Sequence, residues 1–183
     1  MQNRDKKIKY SKEDALNTID RNISWITMAD NKSSILLGVL SVLFGGLIFN
    51  HDYRIVVEIF INGSLNQQVL SFFILIFTIV TLLSFLCTFV LLFFVILSRT
   101  RSYVEKPKKR VTFFNDVSAM KFEDFKDVIN EIKEEELLKD LISQVYITSY
   151  IASKKYDLLM KGNLSFAIYF GSTFILVILM RLL

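Results

Sequence analysis

Cysteine, histidine, proline and tryptophan each occur once in this chain of 183 residues. Cys87 has no second cysteine to pair with, so a disulfide framework is excluded, and Cys87 with His51 cannot assemble a zinc site within one chain. No metal and no cofactor are expected. No Gly-rich phosphate loop, HExxH, GxSxG, CxxC or kinase-like motif occurs, so no catalytic residue is assigned and the chain is not expected to be an enzyme. The apolar blocks hold no ionisable side chain except Arg181 at the extreme end, whereas ion-coupled carriers need such groups within the bilayer. A secondary transporter is excluded on that ground. No short apolar region lies near the N-terminus, so a removable signal peptide is not expected either.

What is present is hydrophobicity separated from charge. The chain is 52% hydrophobic, yet it carries 22 Lys and Arg against 18 Asp and Glu. Residues 69–97, VLSFFILIFTIVTLLSFLCTFVLLFFVIL, contain no charge, proline or glycine. As a helix this stretch is about 43 Å long, against a hydrocarbon core of about 30 Å. Ser71, Thr78, Thr81, Ser84, Cys87 and Thr88 are its only polar residues; hydroxyls can bond back to their own helix and so do not forbid lipid. They suit either ordinary helix packing or the lining of an opened path.

Two shorter apolar blocks complete the pattern, giving spans at 33–49, 69–97 and 164–180. The first carries Ser34, Gly38, Ser41 and Gly45, small residues that let another helix backbone approach closely, within the chain or from a second copy. Lys and Arg number seven in residues 1–32, one in 50–68, thirteen in 98–163 and one at 181. The positive-inside rule makes 1–32 and 98–163 cytoplasmic, 50–68 and 181–183 extracytoplasmic. The cluster Lys106, Lys108, Lys109 and Arg110 around Pro107 reads as topogenic and lipid-facing, the alternative being a contact with nucleotide phosphate.

Outside the spans, the periodicity is helical. Ser11 caps a helix whose apolar positions are Leu16, Ile19, Ile23 and Ile26, with Trp25 at the headgroup boundary or packed on another helix. Residues 50–68 admit either a strand or an interfacial helix, with Asn62-Gly63 as a turn signal. Asp116 or Ser118 caps a second helix through Phe122, Phe125, Ile129 and Ile132. A third begins at Glu134, Glu135 and Glu136, whose charge suits its dipole, and carries Leu138, Ile142, Val145, Ser149, Ala152, Tyr156 and Leu159 as a coiled-coil-like seam. Gly162 and Asn163 interrupt that pattern, but a glycine costs only about 1 kcal/mol in a helix, so this one can run on into the last span. The fold expected is an all-α membrane protein with three transmembrane helices and a cytoplasmic helical bundle, the last cytoplasmic helix continuing into the third span.

The segments ADNKSSILLG at 29–38, FFNDVS at 113–118 and LLKDLISQVYITSYIASKKYDLL at 137–159 resemble the transmembrane effectors of Pycsar, the bacterial pyrimidine-cyclase system for antiphage resistance. The resemblance covers residues 12–180. It implies a partner nucleotide cyclase that makes cyclic UMP or cyclic CMP as the activating ligand, and an effector that disrupts the cell inner membrane and causes abortive infection. Partners are then the lipid bilayer, the cyclic nucleotide and further copies in a homo-oligomer, with no nucleic acid. The positions matching the family pattern are Asp30, Lys32, Phe114, Asp116, Gln144 and Lys155; Asn115 stands where a small residue is expected. No cyclic-nucleotide-binding β-barrel fits in the 66 residues between the last two spans, so a nucleotide would use helix surfaces. The hypothesis puts Lys155 or Lys32 on the phosphate and Gln144 or Asn115 at the base edge. The competing reading is a structural or accessory membrane subunit that binds a partner through its cytoplasmic helices.

Overall fold

The computed structural model describes residues 10–50, 53–97, 111–112 and 114–183, the side chains at 49, 50, 53, 114 and 115 excepted. The basic cluster at 106–110 and nearly all of the N-terminal tail lie outside the described residues. Every element among the described residues is a helix: α1 (Lys12–Asn50), α2 (Tyr53–Asn62), α3 (Leu65–Ile96), α4 (Phe114–Ser118), α5 (Phe122–Glu131) and α6 (Glu134–Leu182). Three of them, α1, α3 and α6, are long and apolar enough to cross a membrane. The 49 residues of α6 form one uninterrupted helix, far longer than a bilayer core of about 30 Å requires. Within 50–68, open to two readings from sequence, Tyr53–Asn62 form a helix.

α1 starts where the sequence places its cap. The Asp14 N–H donates to Ser11 Oγ at 3.1 Å, and the Ser11 N–H returns a bond to Asp14 Oδ2 at 2.9 Å. This reciprocal pair satisfies two otherwise orphaned donors. The Ser11 hydroxyl, and then its backbone N–H, hold the Asp14 carboxyl below its usual range. Because the folded value is lowered, the box contributes fully above the ordinary carboxylate pKa and is lost as pH falls through the lowered one.

The chain divides into two units, one comprising Met1–Met28 and Arg99–Lys154, the other Ala29–Ser98 and Lys155–Leu183. In the first, α1 packs on α6 through Ala15, Ile19 and Leu141, with Leu137 and Val145 around them. The buried line differs from the one apolarity predicts. Leu16, Ile23 and Ile142 are exposed, while Ala15 and Asn22 turn inward. Asn22 is tolerated there because its amide donates to the hydroxyls of Thr148 and Ser149, at 3.0 and 2.8 Å. Alanine at 15 removes the bulk that would hold the two helices apart.

The helix predicted from Asp116 or Ser118 is two helices. The Met120 N–H closes α4 on the Val117 carbonyl, and α5 restarts after Lys121, whose backbone is extended. The apolar positions of α5 are not buried within the chain; Phe122 is 75% exposed.

In the second unit α1 and α6 run parallel, and α3 runs antiparallel to α6. Two hydroxyl rungs fix the latter register: Thr81 Oγ1 donates to Ser172 Oγ at 3.0 Å and Thr88 Oγ1 to Ser165 Oγ at 2.8 Å. The rungs are seven residues apart on each helix, the repeat that keeps one face on its partner. Midway, Ser165 Oγ also donates to the Ser84 carbonyl. The span hydroxyls at 81, 84 and 88 are therefore buried packing groups in this conformation. Leu47, Val56, Ile74 and Leu176 form a core where α1 ends and α3 begins, and the Phe44 and Phe85 rings stack at 3.8 Å. Gly162 does not break α6. It admits α3, since a Cβ there would lie 2.7 Å from Leu92 Cδ2.

Candidate functional site

Position 155 shows how α6 chooses its buried face in the second unit. The apolar seam predicts Tyr156 inside; the structure instead buries Lys155, with Tyr156 partly buried beside it. Its side chain is only 10% exposed, and Nζ donates to Asp30 Oδ1 on α1 at 2.5 Å, Asp30 being 32% exposed. A buried ammonium is tolerated only when paired, so the carboxylate of α1 determines which way α6 is turned. The apolar core of Ala29, Leu92, Val95 and Leu159, with Leu36, Leu37 and Tyr156 against it, takes in the chain neighbours of both, Ala29 and Tyr156. One turn beyond Asp30, Ser33 is fully buried and its Oγ has no hydrogen-bond partner among the described residues. An ammonium carries three donors, and Asp30 Oδ1 takes one of them.

Of the other predicted positions, Lys32 alone belongs to the same unit as this pair. Lys32 is exposed on α1, two residues from Asp30 and hence on a different flank of the helix. Gln144 and Asp116 belong to the first unit. There the Gln144 amide donates to the Thr112 carbonyl, and Asp140 Oδ2 accepts from both the Thr112 hydroxyl and, at 3.1 Å, its N–H. One turn of α6 thus clamps both backbone polar groups of a single residue, Thr112. Asp116 lies half-buried in α4, and the side chains of Phe114 and Asn115 lie outside the described residues.

Sequence reasoning missed Thr112, Asp140, Asn22 and Ser33. Asp140 and Gln144, four apart on one helix face, were a legible signal; Asn22 was legible only as a polar residue within an apolar repeat. Asp140 Oδ1 is buried and has no hydrogen-bond partner among the described residues.

Comparison with known proteins places this architecture. The family model for the Pycsar effector protein domain matches residues 14–182. The Pycsar effector protein GmPycTM of Gulbenkiania mobilis is 28% identical over 171 residues, covering 82% of this chain and 83% of that protein. No solved structure matches. With its three membrane-spanning helices and a family match over almost its whole length, the chain belongs to the Pycsar effector family and is a membrane-embedded effector of antiphage defence.

Proposed function

We propose that this effector senses a cyclic pyrimidine mononucleotide, cyclic UMP or cyclic CMP, made by a partner cyclase, and answers by disrupting the inner membrane so that the infected cell dies before the phage matures. The observation that carries the reading is Lys155. It is a buried cation facing a single carboxylate, where two helices that reach the membrane meet. A cyclic phosphate diester is a monoanion that can take a place on this ammonium and weaken its hold on Asp30. α1 and α6 would then be released from each other at that point, and their span portions could reorient. The effector itself does no chemistry in this scheme; the cyclase does. The basic excess in 1–32 and 98–163 supports a cytoplasmic N-terminus and an extracytoplasmic C-terminus. Membership in an effector family favours this reading over an accessory subunit.

The test is dye release from liposomes carrying the purified protein. Leakage is expected with cyclic UMP or cyclic CMP and not with cyclic AMP or cyclic GMP. Leakage without nucleotide, or none with any of the four, overturns the reading.

The active form is a homo-oligomer. Among the described residues nothing packs closely on Gly38 or Gly45, where an added Cβ would meet nothing within 4 Å, and Ser34 and Ser41 are exposed beside them. Leu16, Ile23 and Ile142, the predicted seam residues left exposed, supply further apolar surface. Gly38→Leu with Gly45→Leu should leave the monomer fold intact, by circular dichroism, while abolishing cross-linked species in detergent. Unchanged cross-linking would remove this face from the interface.

A further inference from the structure

The described side chains of α2, those of residues 54–62, fall into three surroundings, of which one is protein. Val56 is 3% exposed and joins Leu47, Ile74 and Leu176 in the core. Ile59, one turn on, is partly buried on the same side. Arg54, Glu58 and Asn62, stepping by four, make a single exposed polar row. Between the two lie Val57, Phe60 and Ile61 on one flank and Ile55 on the other, all large, apolar and exposed, Ile61 by 64%.

The tether limits what can cover these flanks. α2 begins three residues after α1 ends and finishes three residues before α3 begins, so both its ends are held at the same end of two spans. The turn into α3 is closed: the Gly63 N–H bonds the Ile59 carbonyl at 2.8 Å, and a Cβ at Gly63 would lie 2.4 Å from that same oxygen. α2 is consequently folded onto α3 rather than extended away from it.

A helix fixed at the end of a spanning bundle, with its underside in the protein core, apolar flanks and a polar top, matches an in-plane interfacial helix. We propose that α2 lies in the membrane interface at the end of the bilayer where α1 finishes, with Val57, Phe60, Ile61 and Ile55 among the acyl chains and Arg54, Glu58 and Asn62 at the headgroups. The occupant of the exposed flanks is phospholipid. This is continuous with the apolar, exposed outer faces of α1 and α3, where Val42, Ile48, Val69 and Phe72 lead into it. The inference is independent of any nucleotide.

The single tryptophan makes a direct test possible. Trp25→Phe removes it, and Phe60→Trp or Glu58→Trp then places one reporter on a flank or on the polar row. Each full-length variant is reconstituted into liposomes of phosphatidylcholine brominated at shallow or deep acyl positions. The tryptophan at 60 should be quenched about twofold more than that at 58, and more by shallow than by deep bromines, as insertion to about 5–10 Å requires. Ile61→Trp in the same background repeats the measurement should the variant at 60 not fold by circular dichroism. Equal quenching at 58 and at the flank, no quenching at the flank, or a flank signal that follows protein concentration rather than lipid would overturn the proposal, the last by showing a second copy there instead.

Discussion

Lys155→Ala should weaken binding of the cyclic nucleotide by at least about tenfold, the equivalent of about 1.4 kcal/mol, and lower the melting temperature of the protein in detergent as well. The two effects have different sources. Removing the ammonium leaves Asp30 in an apolar surround without its partner; breaking a buried pair costs about 3–5 kcal/mol, and the one-third exposure of Asp30 puts this case nearer 2 kcal/mol. For a chain of this size that is roughly 4–8 °C. The double variant Asp30→Ala with Lys155→Ala removes both charges and should recover most of the melting temperature while still failing to bind. That separates a phosphate contact from a structural one. Unchanged affinity of Lys155→Ala in calorimetry would reject the phosphate assignment and leave the pair a purely structural fastener between α1 and α6.

Gly162→Leu should be the most damaging substitution along the α3–α6 contact. The Cβ alone would come to 2.7 Å from Leu92 Cδ2 and 3.3 Å from its Cγ, so alanine requires only a rotation of Leu92. A leucine adds volume that no rotation removes and forces α6 away from α3. Overpacking of this kind costs about 1–3 kcal/mol. The Thr88–Ser165 rung, less than one turn along α6, would lengthen with it. By contrast Thr88→Val loses one interhelical hydroxyl bond, about 0.6 kcal/mol in a membrane protein. The ranking Leu at 162, then Ala at 162 and Val at 88 close together, is measurable by thermal unfolding followed by circular dichroism. If Thr88→Val proved as damaging as Gly162→Leu, hydrogen bonding rather than close approach would hold the α3–α6 interface.

The apolar runs and the spacing of charge disclosed the architecture because the bilayer admits few solutions: a long stretch without charge must close its backbone hydrogen bonds internally, and a helix is the shortest way to do so. The Ser11 cap was legible for a similar reason, being a local bond between residues three apart. The site was read less well. Asp30 and Lys155 are 125 residues apart, and nothing in either neighbourhood announces that the two meet. Periodicity chose Tyr156 over Lys155, and Leu16 and Ile23 over Ala15 and Asn22, because a hydropathy pattern assumes that apolar side chains go inside. Where two helices pack closely, small residues and paired polar ones can take the inner positions instead. Gln144 was identified as a useful amide, yet its hydrogen bond to the Thr112 backbone could not be foreseen from a pattern on α6.

Composition and run length were thus sufficient to specify an all-helical chain with three membrane-spanning helices, because those properties depend only on neighbours along the sequence and on the solvent they face. The rotational setting of each helix was decided by the tertiary structure. A rotation of about 100° separates one residue from the next, and only the partner helix, through a carboxylate at 30, hydroxyls at 165 and 172, or the leucine at 92, determines which of them is buried.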